Sequence, residues 1–230
     1  MLTREWLASI ACSESTRTVG KSTPPHVDAR RRAREMLRWA RQQGIFMLSP
    51  MEGFPSLAAE IGGSGISSRW WSHARANDIY NAFRDLSENK DILTTKLIDG
   101  KVTLVHQDLW PSVVRLALDP VWRGRQVRSL NKSSKTLFDT VERMGQVRLD
   151  FLAPDWPSGR KALNKDRTAL EKRALVVSHD EHTETGAHEA VLESWDSFRK
   201  RSGMNVSELS RDSATDTLAR FLRGKKSPFA

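Results

Sequence analysis

Residues 91–107, DILTTKLIDGKVTLVHQ, hold two alternating β-rich runs on either side of Asp99-Gly100. A two-residue type I′ turn needs positive φ at both central positions, and Asp-Gly tolerates it, so this stretch predicts a β-hairpin. The residues before it narrow the fold further. From Val27 to Gln43, Ala29, Ala33, Met36, Leu37 and Ala40 form an apolar stripe, Arg31, Arg34, Arg38 and Arg41 an outer one, and Gly44 a stop. IFMLS at 45–49 reads as a short strand, 55–61 as a short helix with proline in its first turn, and GGSG at 62–65 as a loop. In 66–84, ISSRWWSHARANDIYNAFR, Ser72-His73 marks a helix start, with Ser72 as the cap and the helix over about 74–88. Ile79, Tyr80, Phe83 and Leu86 share one face of it, and Asn77, Asn81, Arg84 and Glu88 the other.

Helix, strand, helix, helix and hairpin is the order of a winged helix, whose third helix enters the major groove while the hairpin flanks it. The wing tip is then Asp99, Gly100 and Lys101. A helix over Leu109–Leu118 follows, ended by Asp119-Pro120, and the plan then repeats. Asn131 or Ser133 caps a helix bearing Leu137, Val141 and Met144, which Gly145 stops; QVRLDFL at 146–152 reads as a strand. A Pro-rich loop with Trp156 leads to a helix over Arg160–Arg173. There Lys161, Lys165, Thr168 and Lys172 line one face, and Leu163 and Leu170 the other. A second hairpin over 174–195 turns near Thr185-Gly186, although its second run also fits a helix. A last helix over Ser207–Arg223 and the basic tail GKKSPFA are expected to pack on the second module.

The expected fold is therefore α+β: tandem winged-helix modules, helices plus two β-hairpins, with a C-terminal helix. The boundaries are 1–26 for a flexible N-terminal segment, 27–118 and 119–195 for the two modules, and 196–230 for the C-terminal helix and tail.

The net charge is +9, and between Val121 and Arg173 thirteen Lys or Arg stand against six Asp or Glu. That concentration favours a polyanion, since each neutralised phosphate releases counterions; a merely solvated face is the alternative. No apolar run approaches the roughly 20 residues of a membrane helix, and Met1–Gly20 lacks the apolar centre of a signal peptide, so a cytoplasmic protein is expected. Cys12 has no partner cysteine, and GKST at 20–23 lacks the first glycine and strand of a P-loop. No cofactor is expected.

Arg160, Lys161, Lys165 and Lys172 are the candidate phosphate contacts, Asn77, Asn81 and Arg84 the candidate groove contacts, and Lys101 and Lys132 peripheral ones. His179, Glu181, His182, Glu184 and His188 are ligand types that zinc accepts, but their spacing is not that of a helical HExxH pair; a polar hairpin with cross-strand His-Glu pairs is the ordinary reading. Trp70, His73 and His106 are the weak catalytic candidates, because adjacent Ser72 and His73 rarely converge as nucleophile and base. Of eight tryptophans, Trp122 and Trp156 fall in apparent loops where they are placed to stack bases.

Three blocks carry a resemblance: GISSRWWSHARANDIYNAF, KLIDGKVTLVHQDLW and VVSHDEHTETGAHEAVLESW. They resemble an uncharacterised bacterial family with G-x-x-S-x-W-W-x-H-P, KL-x-x-GK-x-T-L-VH and HTE-x-GAH segments, over residues 27–195. Ala74 stands at the family's proline. That family is distantly similar to the winged-helix DNA glycosylases that unhook interstrand crosslinks, which implies repeated winged helices and a link to DNA repair or regulation. Their Gln-apolar-Gln signature is absent here; QVR at 146–148 keeps only the first glutamine. The expected partner is duplex or repair-intermediate DNA. The alternatives are a glycosylase-like or other hydrolase with a pocket between modules, and a protein-protein adaptor.

Overall fold

The computed structural model describes residues 25–63, 65–182, 188–225 and 227–229. Cys12, GKST, nearly all of the 1–26 segment and the Thr185-Gly186 turn lie outside these residues.

The fold is α+β with two small antiparallel sheets of three strands. The first half runs α1 (Pro25–Gln43), β1 (Ile45–Met47), α2 (Leu57–Gly62), one 3-10 turn at Trp70–Ser72, α3 (Ala76–Ser87), β2 (Ile92–Ile98) and β3 (Lys101–His106), with strands in the order β1-β3-β2. After a 3-10 turn come α4 (Trp110–Ala117) and α5 (Pro120–Arg128). The second half runs α6 (Lys132–Met144), β4 (Gln146–Arg148), α7 (Leu149–Leu152), α8 (Gly159–Lys172), β5 (Val176–His182) and β6 (His188–Ser194), in the order β4-β6-β5. The helices α9 (Trp195–Arg201) and α10 (Arg211–Leu222) complete it.

The repetition extends to single hydrogen bonds. Gly44 and Gly145 each follow a helix at positive φ, 65° and 77°, and lead into a short strand. The carbonyl of Gly44 accepts from His106 N and that of Gly145 from Ser194 N, both at 2.8 Å, so each junction is tied to the end of its hairpin. Asp99 and Gly100 have φ of 49° and 69°, as the first hairpin's turn requires.

Alternation along the strands builds the cores. Phe46, Leu48, Ile92 and Leu104 pack toward α1–α3, whereas Ile45, Met47, Leu93 and Val105 enter a central core. That central core also takes Val177, Trp195 and Phe198 from the second half and Ala214, Leu218 and Leu222 from α10. Leu137, Val141, Val147, Leu163, Leu170 and Leu192 form a third core inside the second half. At about 1.5–3 kcal/mol per buried side chain, burial in this shared central core holds the two halves against each other.

Several expectations need correction. Asp119-Pro120 ends α4 but also starts α5: the Asp119 carboxylate accepts from Trp122 N at 2.9 Å, and proline suits the first helical position. Trp122 is therefore fully buried on a helix, edge-on to Phe229 at 5.0 Å, and is not a loop residue free to stack a base. QVRLDFL is a strand only to Arg148 and then turns into α7. Ser72 does not cap α3; its hydroxyl donates to Arg69 O, and α3 begins at Ala76 without a side-chain cap. The later hairpin, by contrast, forms as expected, its second run a strand paired along β5. The C-terminal helix packs on α4 rather than on the second half: Phe221 lies against Gly44, as does Leu109, and Arg115 Nε donates to Leu209 O at 2.9 Å. Among the described residues no helix is long and apolar enough to cross a membrane.

Candidate nucleic-acid interface

On α8, Leu163 and Leu170 point into the core beside Leu137 and Val141 of α6. At about 100° per residue, Lys161, Lys165, Thr168 and Lys172 then fall within roughly 60° of one another on the opposite side. The three lysines are exposed and form no ion pair or hydrogen bond among the described residues, and the Thr168 hydroxyl is turned back to Asn164 O.

Both carboxylates of α8 face inward. Asp166, 4% exposed, accepts from Ser133 Oγ at 2.5 Å, Ser134 Oγ at 2.7 Å and Trp156 Nε1 at 3.1 Å. The two serine donors stand at the N-terminus of α6, whose partial positive charge also favours an anion, and the indole adds a third bond, so the buried carboxylate is well satisfied. Glu171, 3% exposed, takes Lys96 Nζ from β2 at 2.5 Å and Arg167 Nε at 3.5 Å. The outcome is charge segregation: anions inside, uncompensated lysines outside.

Not every cation that the sequence marks out is equally free. Arg160 is paired with the nearly buried Glu189, off the lysine strip. Lys132 is exposed at the start of α6, next in chain to the Ser133 that bonds Asp166, which places it beside the middle of α8. Arg173, just past α8, donates to Ser129 Oγ at 2.9 Å and brings the α5–α6 turn, with exposed Arg128, to the same end. Sequence reasoning passed over Arg173 and Arg128, and only their bulk charge could have pointed to them.

The matching helix of the first half differs. Asn77, Asn81 and Arg84 are exposed on α3, but so are Asp78, Asp85 and Glu88. Arg75 pairs with Asp78 at 3.0 Å and Arg84 with Asp85 at 3.1 Å. Lys101 is exposed at the first hairpin's tip.

The weak catalytic candidates are not brought together. Buried Trp70 donates to Ser49 Oγ at 3.1 Å, beside the Val102 end of β3; His106 lies at the other end, about 13 Å along the strand. His73 Nδ1 accepts from Arg75 N, and His106 Nδ1 from Asp108 N. A cleft of about 410 Å³, lined by Trp39, Gln43, Phe54, Pro55, Ser56, Ala59 and Glu60, contains none of the three. On β5, His179 Nε2 stands 3.4 Å from Glu181, which also accepts from Gln146 Nε2 at 3.2 Å. Among the described residues no group of three His, Cys, Asp or Glu is arranged to hold a metal; the side chains of His182 and His188, and Glu184, lie outside them. Trp156 is half-buried and held by Asp166. At the β4–α7 corner Arg148 grips Asp150 and covers the exposed Phe151 ring at 4.5 Å. Its guanidinium holds the Asp150 carboxyl below the usual carboxylate range.

No protein-family model, curated protein or solved structure matches the chain.

Proposed function

We propose that this chain is a tandem winged-helix protein that binds duplex DNA through its phosphates, with α8 as the contacting helix. The winged-helix reading is supported by the order helix, strand, helix, helix, hairpin in each half and by the shared strand order with the hairpin's second strand in the middle. The observation that carries the DNA reading is the burial of both α8 carboxylates, which leaves Lys161, Lys165 and Lys172 exposed on one strip and, among the described residues, unpaired. Lysine presents a mobile point charge and no planar fork, so such a strip suits phosphates more than the planar, bidentate recognition that arginine provides. Binding is accordingly of low sequence selectivity.

The test is fluorescence anisotropy with a labelled duplex over a series of salt concentrations. Each phosphate contact contributes about −0.9 to the slope of log K against log salt, so Lys161→Ala with Lys165→Ala should flatten the slope by about 1.8. A slope near zero in the unaltered protein, or one that the double substitution leaves unchanged, would contradict the reading.

A further inference from the structure

We infer that the DNA-binding surface is composite: the tip of the first hairpin is clamped onto α8, so that Lys101 from one half and the α8 lysines from the other face a single stretch of duplex. This rests on the reading of α8 given above. Three features of the first hairpin support the clamp.

The first is the fit at Gly100. Its φ is +69°, and a Cβ there would stand 2.5 Å from Cγ and 2.9 Å from Cε of Lys172, so the turn backbone lies directly against the Lys172 stem. Only glycine allows that approach. The second is the break in the ladder: β2 and β3 lose register between Thr95 and Ile98, and the consecutive residues Leu97 and Ile98 are both in the central core. A bulge of this kind bends a strand and re-aims its side chains, and the residues within it are Lys96 and Leu97. The third is where Lys96 goes, to the buried Glu171 of α8 at 2.5 Å. A carboxylate with so little exposure strongly resists losing its partner, which pins the tip's approach to α8.

Lys101 follows Gly100 in the chain, with its Cα about 3.8 Å further on. The lysine strip covers about 16 Å along α8 from Lys161 to Lys172, at 1.5 Å per residue, and the tip lies against its Lys172 end. This corresponds to about five base-pair steps of 3.4 Å. Like charges are thereby held close with Asp99 as the exposed carboxylate of the turn. Such repulsion is relieved by an anionic partner.

The experiment compares the salt slopes of four proteins on one mixed-sequence duplex: the unaltered chain, Lys101→Ala, Lys161→Ala with Lys165→Ala, and Asp99→Asn, the last chosen because asparagine tolerates positive φ. Thermal unfolding checks that these exposed positions leave the fold intact. A composite face predicts that Lys101→Ala flattens the slope by about 0.9, as one lost phosphate contact should, and that Asp99→Asn tightens binding. If Lys101→Ala keeps the full slope while the double α8 substitution flattens it, the composite face is overturned and α8 stands alone. If no protein shows a salt slope, the DNA reading itself falls.

Discussion

The helices α3 and α8 occupy the same place in the two halves, each following a short helix or turn and preceding a hairpin, yet they present opposite surfaces. Asp78, Asp85 and Glu88 stand in solvent beside Arg84 on α3. On α8 the two carboxylates are internal, one at the α6 N-terminus and one under Lys96, and the lysines remain outside. The scaffold fixes where a helix lies; the direction of its carboxylates decides whether that helix presents a mixed or a cationic surface. A count of charges along the chain misses this, because paired and unpaired cations contribute equally to it.

The largest expected effect comes from erasing the difference. Lys161→Glu with Lys165→Glu gives α8 the mixed surface of α3 and should weaken duplex binding about tenfold or more in an anisotropy titration. Asn77→Ala with Asn81→Ala on α3 should leave it nearly unchanged; a larger loss from the asparagine pair would reverse the assignment of the two helices.

Stability should separate the helices as well. Lys96→Ala leaves the buried Glu171 with Arg167 alone and should cost about 1–3 kcal/mol in urea unfolding, the range for a buried acceptor that loses one partner. Arg84→Ala removes an exposed pair on α3 and should cost under about 0.5 kcal/mol. Equal losses would mean that the Lys96 contact does not hold the halves together. A smaller effect belongs to Trp156→Phe, which keeps the ring but removes the indole N–H from Asp166. About 1 kcal/mol is expected, and no change would show that the two serine donors suffice.

The smallest concerns acid. Hydrogen bonding by Arg148 lowers the Asp150 pKa, and hydrogen bonding by Lys200 and then Arg199 lowers that of Asp196. Both carboxylates stabilise the fold above the ordinary carboxylate pKa, and that contribution is lost as the pH falls through their lowered folded values. Asp150→Asn with Asp196→Asn should therefore lessen the acid-side decline in unfolding free energy, and an unchanged decline would discount both pairs.

Much of this plan was legible in the sequence because its signals are local. Asp99-Gly100 announces the hairpin through φ, Gly44 and Gly145 stop their helices, and the spacing of Leu163 and Leu170 orients α8. The helix α5 was missed although its signal was present, since an Asp-Pro pair that ends one helix also caps and opens the next. The strand-to-helix change at Arg148 and Leu149 has no comparable mark. Nor was the inward turn of Asp166 and Glu171 legible: their partners Ser133 and Lys96 lie 33 and 75 residues away in the chain, and only packing brings them close. A long separation in the chain likewise hides the contact between Gly100 and Lys172.

The central claim is that α8, and not α3, meets DNA. Mapping NMR shifts of the labelled protein during titration with a short duplex tests it most directly. The account predicts salt-sensitive shifts at Lys161, Lys165 and Lys172 with Asn77 and Asn81 unmoved. Shifts centred on α3, with the α8 lysines silent, would contradict it.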